Sequence, residues 1–133
     1  MEKAILNPPS LARPSGFSHG IKVTGGSLVF LAGQTAQDAE GRIVAPGDMV
    51  GQFRQSLANL RAVMEAAGGA MTDITTLTFF VTDRDAYKNH LKAIGAVYRE
   101  FFGRYYPAMT LVEVKRLWDD EAMIEIQGMA VVE

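Results

Sequence analysis

Two glutamates stand where side-chain chemistry would be possible. Glu113 lies in the apolar run LVEV and Glu125 in the run MIEIQGMA. A carboxylate inside such a run is noteworthy, because burial moves such groups toward the range useful for proton transfer. The plain alternative is that strand alternation turns each one toward water. On the last predicted strand, Ile124, Ile126, Gly128 and Ala130 share one face, while Met123, Glu125, Gln127 and Met129 share the other. On the strand before it, Met109, Leu111 and Glu113 fall together. A face of Met, Leu, Glu and Gln suits a pocket or a subunit interface better than open water. Glu125 is therefore the stronger acid–base candidate and Glu113 the weaker, with a purely structural role open for both.

Other chemistries find little support. There are no cysteines, which removes thiolate nucleophiles, disulfides and thiolate metal sites together. The two histidines, His19 and His90, are far apart in the chain and neither has a second ligand at helical spacing, so ordinary hydrogen-bonding roles are expected and no metal site. Ser15, Ser18, Ser27 and Ser56 are available, but none sits in G-x-S-x-G. His19 follows Ser18 directly, and neighbours on an extended segment point to opposite sides. No G-x-x-x-x-G-K-[ST] or G-x-G-x-x-G run is present. A net charge of −2 does not attract phosphate backbones, so nucleic acid is an unfavoured partner.

The elements that must position these residues follow from periodicity and punctuation. With 133 residues, 48% of them hydrophobic, the chain is predicted to be one domain, 1–133, with a core of its own. Pro8, Pro9, Pro14 and Gly16 keep the first twenty residues in an extended arm or loop. Ile21, Val23 and Leu28 to Leu31 predict two strands about the turn Gly25-Gly26, and Ile43-Val44 a further short strand. Val50, Phe53, Leu57, Leu60 and Met64 recur every three or four residues, predicting a helix from Asp48 to Ala67 that Gly68-Gly69 ends. Ile74 to Thr82 is a strand with Leu77, Phe79 and Val81 on one face. Asp83 and Asp85 offer N-cap oxygens to a second helix whose stripe is Tyr87, Leu91, Ile94, Tyr98 and Phe101. Met109 to Val114 and Met123 to Val132 are the last strands, expected as a hairpin-like pair. The sum is a two-layer α+β sandwich with a mixed or antiparallel sheet and two helices on one face. No spare helix remains for the other face, so a partner subunit is its expected cover. MEKAILNPPS holds no apolar run of seven residues and no stretch approaches eighteen, which predicts a cytoplasmic protein with no membrane partner.

In order along the chain, Pro14-Ser15-Gly16-Phe17-Ser18-His19-Gly20, VFLAGQ, QSLANLRAVMEAAG, TFFVTD, YREFF and PAMTLVEV…LW…IEIQGMAVV resemble the RidA/YjgF family, also called L-PSP. The resemblance implies a chorismate-mutase-like fold and a homotrimer with small-molecule pockets at the subunit clefts. It also implies hydrolysis of enamines or imines to 2-keto acids and ammonia without metal or organic cofactor. It assigns Glu125 to water activation, and Phe17, Ala32, Gly33, Met109 and Leu111 to the substrate cleft. At the position where the family's deaminases carry the arginine that clamps the substrate carboxylate, this chain has Met109, which cannot form a bidentate charged pair. Phe17 and Ala32 likewise replace a tyrosine and a serine. The cleft asparagine has no clear counterpart, Asn89 falling outside the motif position. Arg13, Lys115 or Arg116 are the candidates to restore the charge. An altered deaminase, a non-catalytic trimer binding a small molecule, and RNA cleavage, in that order, are the functions so implied.

Overall fold

The computed structural model describes residues 1–133. Its strands are β1 Glu2–Leu6, β2 Gly20–Thr24, β3 Ser27–Gln34, β4 Ile74–Val81, β5 Ala108–Glu113 and β6 Ile124–Val132, and its helices α1 Met49–Ala66, α2 Arg84–Lys88 and α3 Leu91–Phe102. A short 3₁₀ turn, Met71–Asp73, leads into β4. The α+β reading holds. The main sheet has the order β3-β6-β4-β5, with β6 antiparallel to both its neighbours and β5 parallel to β4.

That order corrects the expected C-terminal hairpin. β5 and β6 are not partners: β5 returns beside β4 through the helical crossover that a parallel pair requires. The loop after β5 then carries the chain past β4, and β6 enters between β3 and β4. An inner position suits β6, because its helix-facing residues Ile124, Ile126 and Ala130 are fully buried and Gly128 lets the β4 backbone come close.

The N-terminal half also departs from a simple meander. β2 and β3 flank Gly25-Gly26 as expected, but they do not pair with each other. β2 pairs with β1, which converts the first residues of the extended arm into a strand, and β3 pairs with β6. Both glycines have φ of +80°, and a Cβ on Gly26 would lie 2.6 Å from Val131 Cγ1. The turn thus packs on the end of β6 and redirects the chain into another sheet. Ile43-Val44 forms no strand beyond one bridge between Gln37 and Ile43.

α1 begins where Asp48 Oδ1 accepts from Gly51 N at 3.0 Å and ends in a left-handed Gly68. Phe53, Leu57, Leu60 and Met64 are wholly buried against the sheet. Gln52 joins them although its type argues for the surface. Its Nε2 donates to Ala45 O and Glu121 O, and its Oε1 accepts from Met123 N at 2.8 Å, so the buried amide is satisfied and pins the entry to β6. The second predicted helix is two. α2, capped by Asp83 rather than Asp85, stops at Asn89, and α3 restarts after His90, whose Nδ1 meets Ala86 O at 2.6 Å. All three helices lie on one face of the main sheet. The opposite face carries Leu28, Phe30 and Met129 in the open, with Phe30 73% exposed.

Candidate functional site

The predicted site residues fall into two groups on opposite faces of the sheet. Phe79 and Val81 of β4 face the helices; Leu111 and Glu113 of β5 pair with them in register, as do Ile126 and Ile124 of β6. Met109 and Leu111 therefore face the helices, and Glu125, paired with Phe80, faces away.

The first group lines an apolar groove. One end, about 380 Å3, is walled by Phe17, Phe79, Tyr87, Leu91, Met109 and Leu111, and by Ser15 and Gly16 of the loop. An adjoining space of about 330 Å3 shares Ser15, Gly16, Phe79, Tyr87, Leu91 and Met109 and continues to Gly95, Tyr98, Arg99 and Tyr106. The loop that carries Phe17 is anchored locally. Buried Ser18 donates from Oγ to Tyr106 O at 2.5 Å and from N to Pro107 O at 3.1 Å, forming a bridge beside the start of β5. His19 N donates to Asn7 Oδ1, and His19 Nε2 lies 2.7 Å from Ala12 O. The imidazole also meets the Phe17 ring edge-on at 5.1 Å. His19 thus organises the loop, and His90 the junction of α2 and α3.

The aromatic floor is tightly bound into the fold. Tyr98 stacks on Tyr106 at 5.0 Å and donates to Tyr105 O at 2.6 Å. Burial pushes the Tyr87 phenol up to about 12, and raises that of Tyr98 as well. These phenols stay neutral at physiological pH.

The second group is Gly33 and Glu125. A Cβ on Gly33 would sit 2.5 Å from Glu125 Oε2 and 2.8 Å from its Cδ, so the carboxylate lies directly on the bare backbone of β3. Glu125 is half-buried, and no cation lies within ion-pair distance of it. Ala32, the neighbour of Gly33, is exposed. Glu113, by contrast, is placed as a structural group: its Oε1 accepts from Arg84 N at 2.9 Å, at the start of α2.

None of the three cations considered from the sequence borders the apolar groove. Arg13 lines a separate hollow with Asn7, Pro8 and Leu11, and Lys115 and Arg116 are exposed in the link from β5 to β6. The cation that does border it is Arg99. Nothing in the periodicity marks it, because it follows Tyr98 directly and is not part of the apolar stripe of α3. The available signal was the row Leu91, Gly95, Arg99, in which a glycine within a helix leaves a notch one turn before an arginine.

The likenesses to known proteins extend over the whole chain. The sequence profile of the Endoribonuclease L-PSP family matches residues 9–132. A 2-iminobutanoate/2-iminopropanoate deaminase of Salmonella typhimurium is 37% identical over 134 residues, covering 98% of each chain. A RutC family protein of Pyrococcus horikoshii is 35% identical, covering 96% of this chain and 97% of its own. Among solved structures, the Rid-family protein YyfB of Yersinia pestis superposes with a TM-score of 0.88 at 31% identity, over 99% of this chain and 100% of that one. E. coli TdcF, solved with bound serine, gives 0.67 at 34% identity over 91% of each. With sequence profile, relatives and strand topology in agreement from end to end, this chain belongs to the Endoribonuclease L-PSP family, the RidA/YjgF proteins.

Proposed function

We propose that this protein hydrolyses enamine or imine intermediates to 2-keto acids and ammonia, as a homotrimer with its clefts between subunits, and prefers substrates larger or less anionic than 2-iminopropanoate. The carrying observation is the Glu125 carboxylate, half-buried, unpaired and held against Gly33 where no side chain intervenes. An unpaired carboxylate so placed can take a proton from water. As water oxygen bonds to the imine carbon, Glu125 accepts its proton and the C=N pair moves onto nitrogen. Glu125 returns that proton to the nitrogen, giving the neutral carbinolamine; as the C–N bond breaks and the hydroxyl becomes C=O, the hydroxyl proton passes through Glu125 to the nitrogen, which leaves as ammonia. An enamine first gains a proton at carbon and loses one from nitrogen to become the imine. Water is the sole co-reactant, and nothing is oxidised or reduced.

Two features support an assembled site. Glu125 and the groove of Phe17, Met109 and Leu111 face opposite sides of one subunit's sheet, so one substrate reaches both only if a second copy supplies the other half. The open face, with Leu28 65% and Phe30 73% exposed, has apolar area that a subunit contact would remove from water. In the assembled cleft Ala32 and Gly33 would wall the acid side and the apolar groove the other. Met109, which offers no charge, supports the shift away from the smallest anionic imines.

The test is release of keto acid from imines generated in place by an amino-acid oxidase or a dehydratase. Little acceleration is expected with 2-iminopropanoate, and clear acceleration with imines derived from leucine, methionine or phenylalanine. No acceleration with any of them, or full activity in Glu125→Gln, overturns the proposal. The methionine and aromatic lining favours one second reading, a trimer that binds an apolar metabolite without turnover; ligand-dependent thermal stabilisation with no product would support it. RNA cleavage, which the family's name suggests, is disfavoured by the net charge of −2.

A further inference from the structure

We infer that Arg99 of α3 is the carboxylate-binding residue of the groove, and that the ligand is a 2-keto or 2-imino monocarboxylate with a branched or aromatic side chain. The inference deepens the proposed function by naming the residue that would bind the substrate's carboxylate, and rests on that reading for the groove's use.

Three observations carry it. First, Arg99 is directed along its own helix: its Nη1 lies 3.3 Å from where a Gly95 Cβ would be, so the guanidinium folds back over the notch into the groove wall. Second, it has no internal partner. Arg54, Arg61 and Arg84 each meet a carboxylate, and the nearest in sequence, Glu100, is taken by Arg54 through two hydrogen bonds. Third, Arg99 is the one charged side chain along either part of the groove. The tyrosines of its wall, Tyr87, Tyr98 and Tyr106, carry no charge, and the Tyr98 hydroxyl is spent on Tyr105 O.

A planar guanidinium with free donors matches a carboxylate bidentately. From that end the groove runs past Met109 and Phe79 to Phe17 and Leu111, which are apolar. The two spaces, about 330 and 380 Å3, are of the size that holds a small organic ligand with a side chain rather than a three-carbon acid. The one charge of the groove thus sits on the helix that shares its wall with Met109, and the space between them accepts the side chain.

The experiment measures binding of 4-methyl-2-oxopentanoate and of its uncharged methyl ester to the full chain by calorimetry or ligand-observed NMR. Arg99 is exposed, so its variants retain the fold. The expected result is that Arg99→Gln weakens binding of the acid at least tenfold, the scale of one lost charged hydrogen bond, while the ester binds as before. Arg99→Lys recovers part of the loss. Equal affinity of wild type and Arg99→Gln for the acid, an equal loss for the ester, or no binding of the acid to the wild-type protein overturns the inference. The two proposals fail separately. Arg99-dependent binding without any keto-acid release removes the hydrolase and leaves the carboxylate site, whereas turnover unaffected by Arg99→Gln does the reverse.

Discussion

Gly33 and Gly128 are both strand glycines whose missing side chain is used, and replacing each with alanine separates the site from the fold. At Gly33 the new Cβ would meet Glu125 Oε2 at 2.5 Å, Cδ at 2.8 Å and Cγ at 3.0 Å. Ordinary contact begins near 3.4 Å, so the carboxylate must retreat by about 0.9 Å. It is the far end of a flexible, half-buried side chain, and the adjustment costs stability less than about 1 kcal/mol. At Gly128 the new Cβ would fall well inside the contact distance of the Thr76 carbonyl oxygen, with Leu77 Cδ2 at 2.9 Å. Backbone cannot swing aside. β4 must separate from β6, so the cost combines overpacking of about 1–3 kcal/mol with a ladder hydrogen bond whose loss strands a buried carbonyl, about 1–3 kcal/mol more. We therefore expect Gly128→Ala to lose about 3 kcal/mol or more and Gly33→Ala to keep nearly wild-type stability. Turnover of an apolar imine by Gly33→Ala should fall about 100-fold, because a catalytic group misplaced by about 1 Å costs that much. Urea unfolding at fixed protomer concentration, followed by far-UV circular dichroism, reads the stability; the single tryptophan, Trp118, is 94% exposed and would report unfolding poorly. Equal destabilisation by the two substitutions, or unimpaired turnover in Gly33→Ala, would refute the reasoning.

Three further outcomes are expected. Met109→Arg places a cation on β5, and should raise turnover of 2-iminopropanoate at least tenfold in the keto-acid assay while lowering that of leucine-derived imine, whose side chain it displaces. Gly95→Ala should stabilise α3 by about 0.5–1 kcal/mol in urea unfolding, since the added methyl meets only the tip of Arg99, and at the same time weaken carboxylate binding by pushing that tip out of its notch. Stability should also fall on the alkaline side. The Tyr87 and Tyr105 phenols are held up to about 12 by burial, so between about pH 10 and pH 12 the unfolded chain ionises while the folded one does not; unfolded chains then bind fewer protons, and the unfolding free energy drops as pH rises. A pH series of melting temperatures checks this, with Tyr87→Phe expected to reduce the slope above pH 10.

How much was legible in the sequence depends on whether the signal was local. α1 could be read from its stripe and its Asp48 and Gly68 ends, and the buried face of β4 from alternation, because period and capping belong to consecutive residues. The family, too, was written in ordered motifs, and with it the candidacy of Glu125. Strand partners were not legible. β5 and β6 are adjacent in sequence and apart in the sheet, and β2 and β3 leave one glycine turn for different sheets, since strand pairing depends on partners distant in sequence rather than on neighbouring residues. Gln52 looked like surface and is a buried clamp because three backbone groups from distant loops converge on it. The site divides in the same way. Residue types named an acid, and the family resemblance implied an apolar cleft with Met109 where an arginine is expected. Only the tertiary structure put Glu125 and Met109 on opposite faces of one sheet, set Glu125 against Gly33, and turned Arg99 over Gly95, because each of these depends on register and helix phase rather than on residue type.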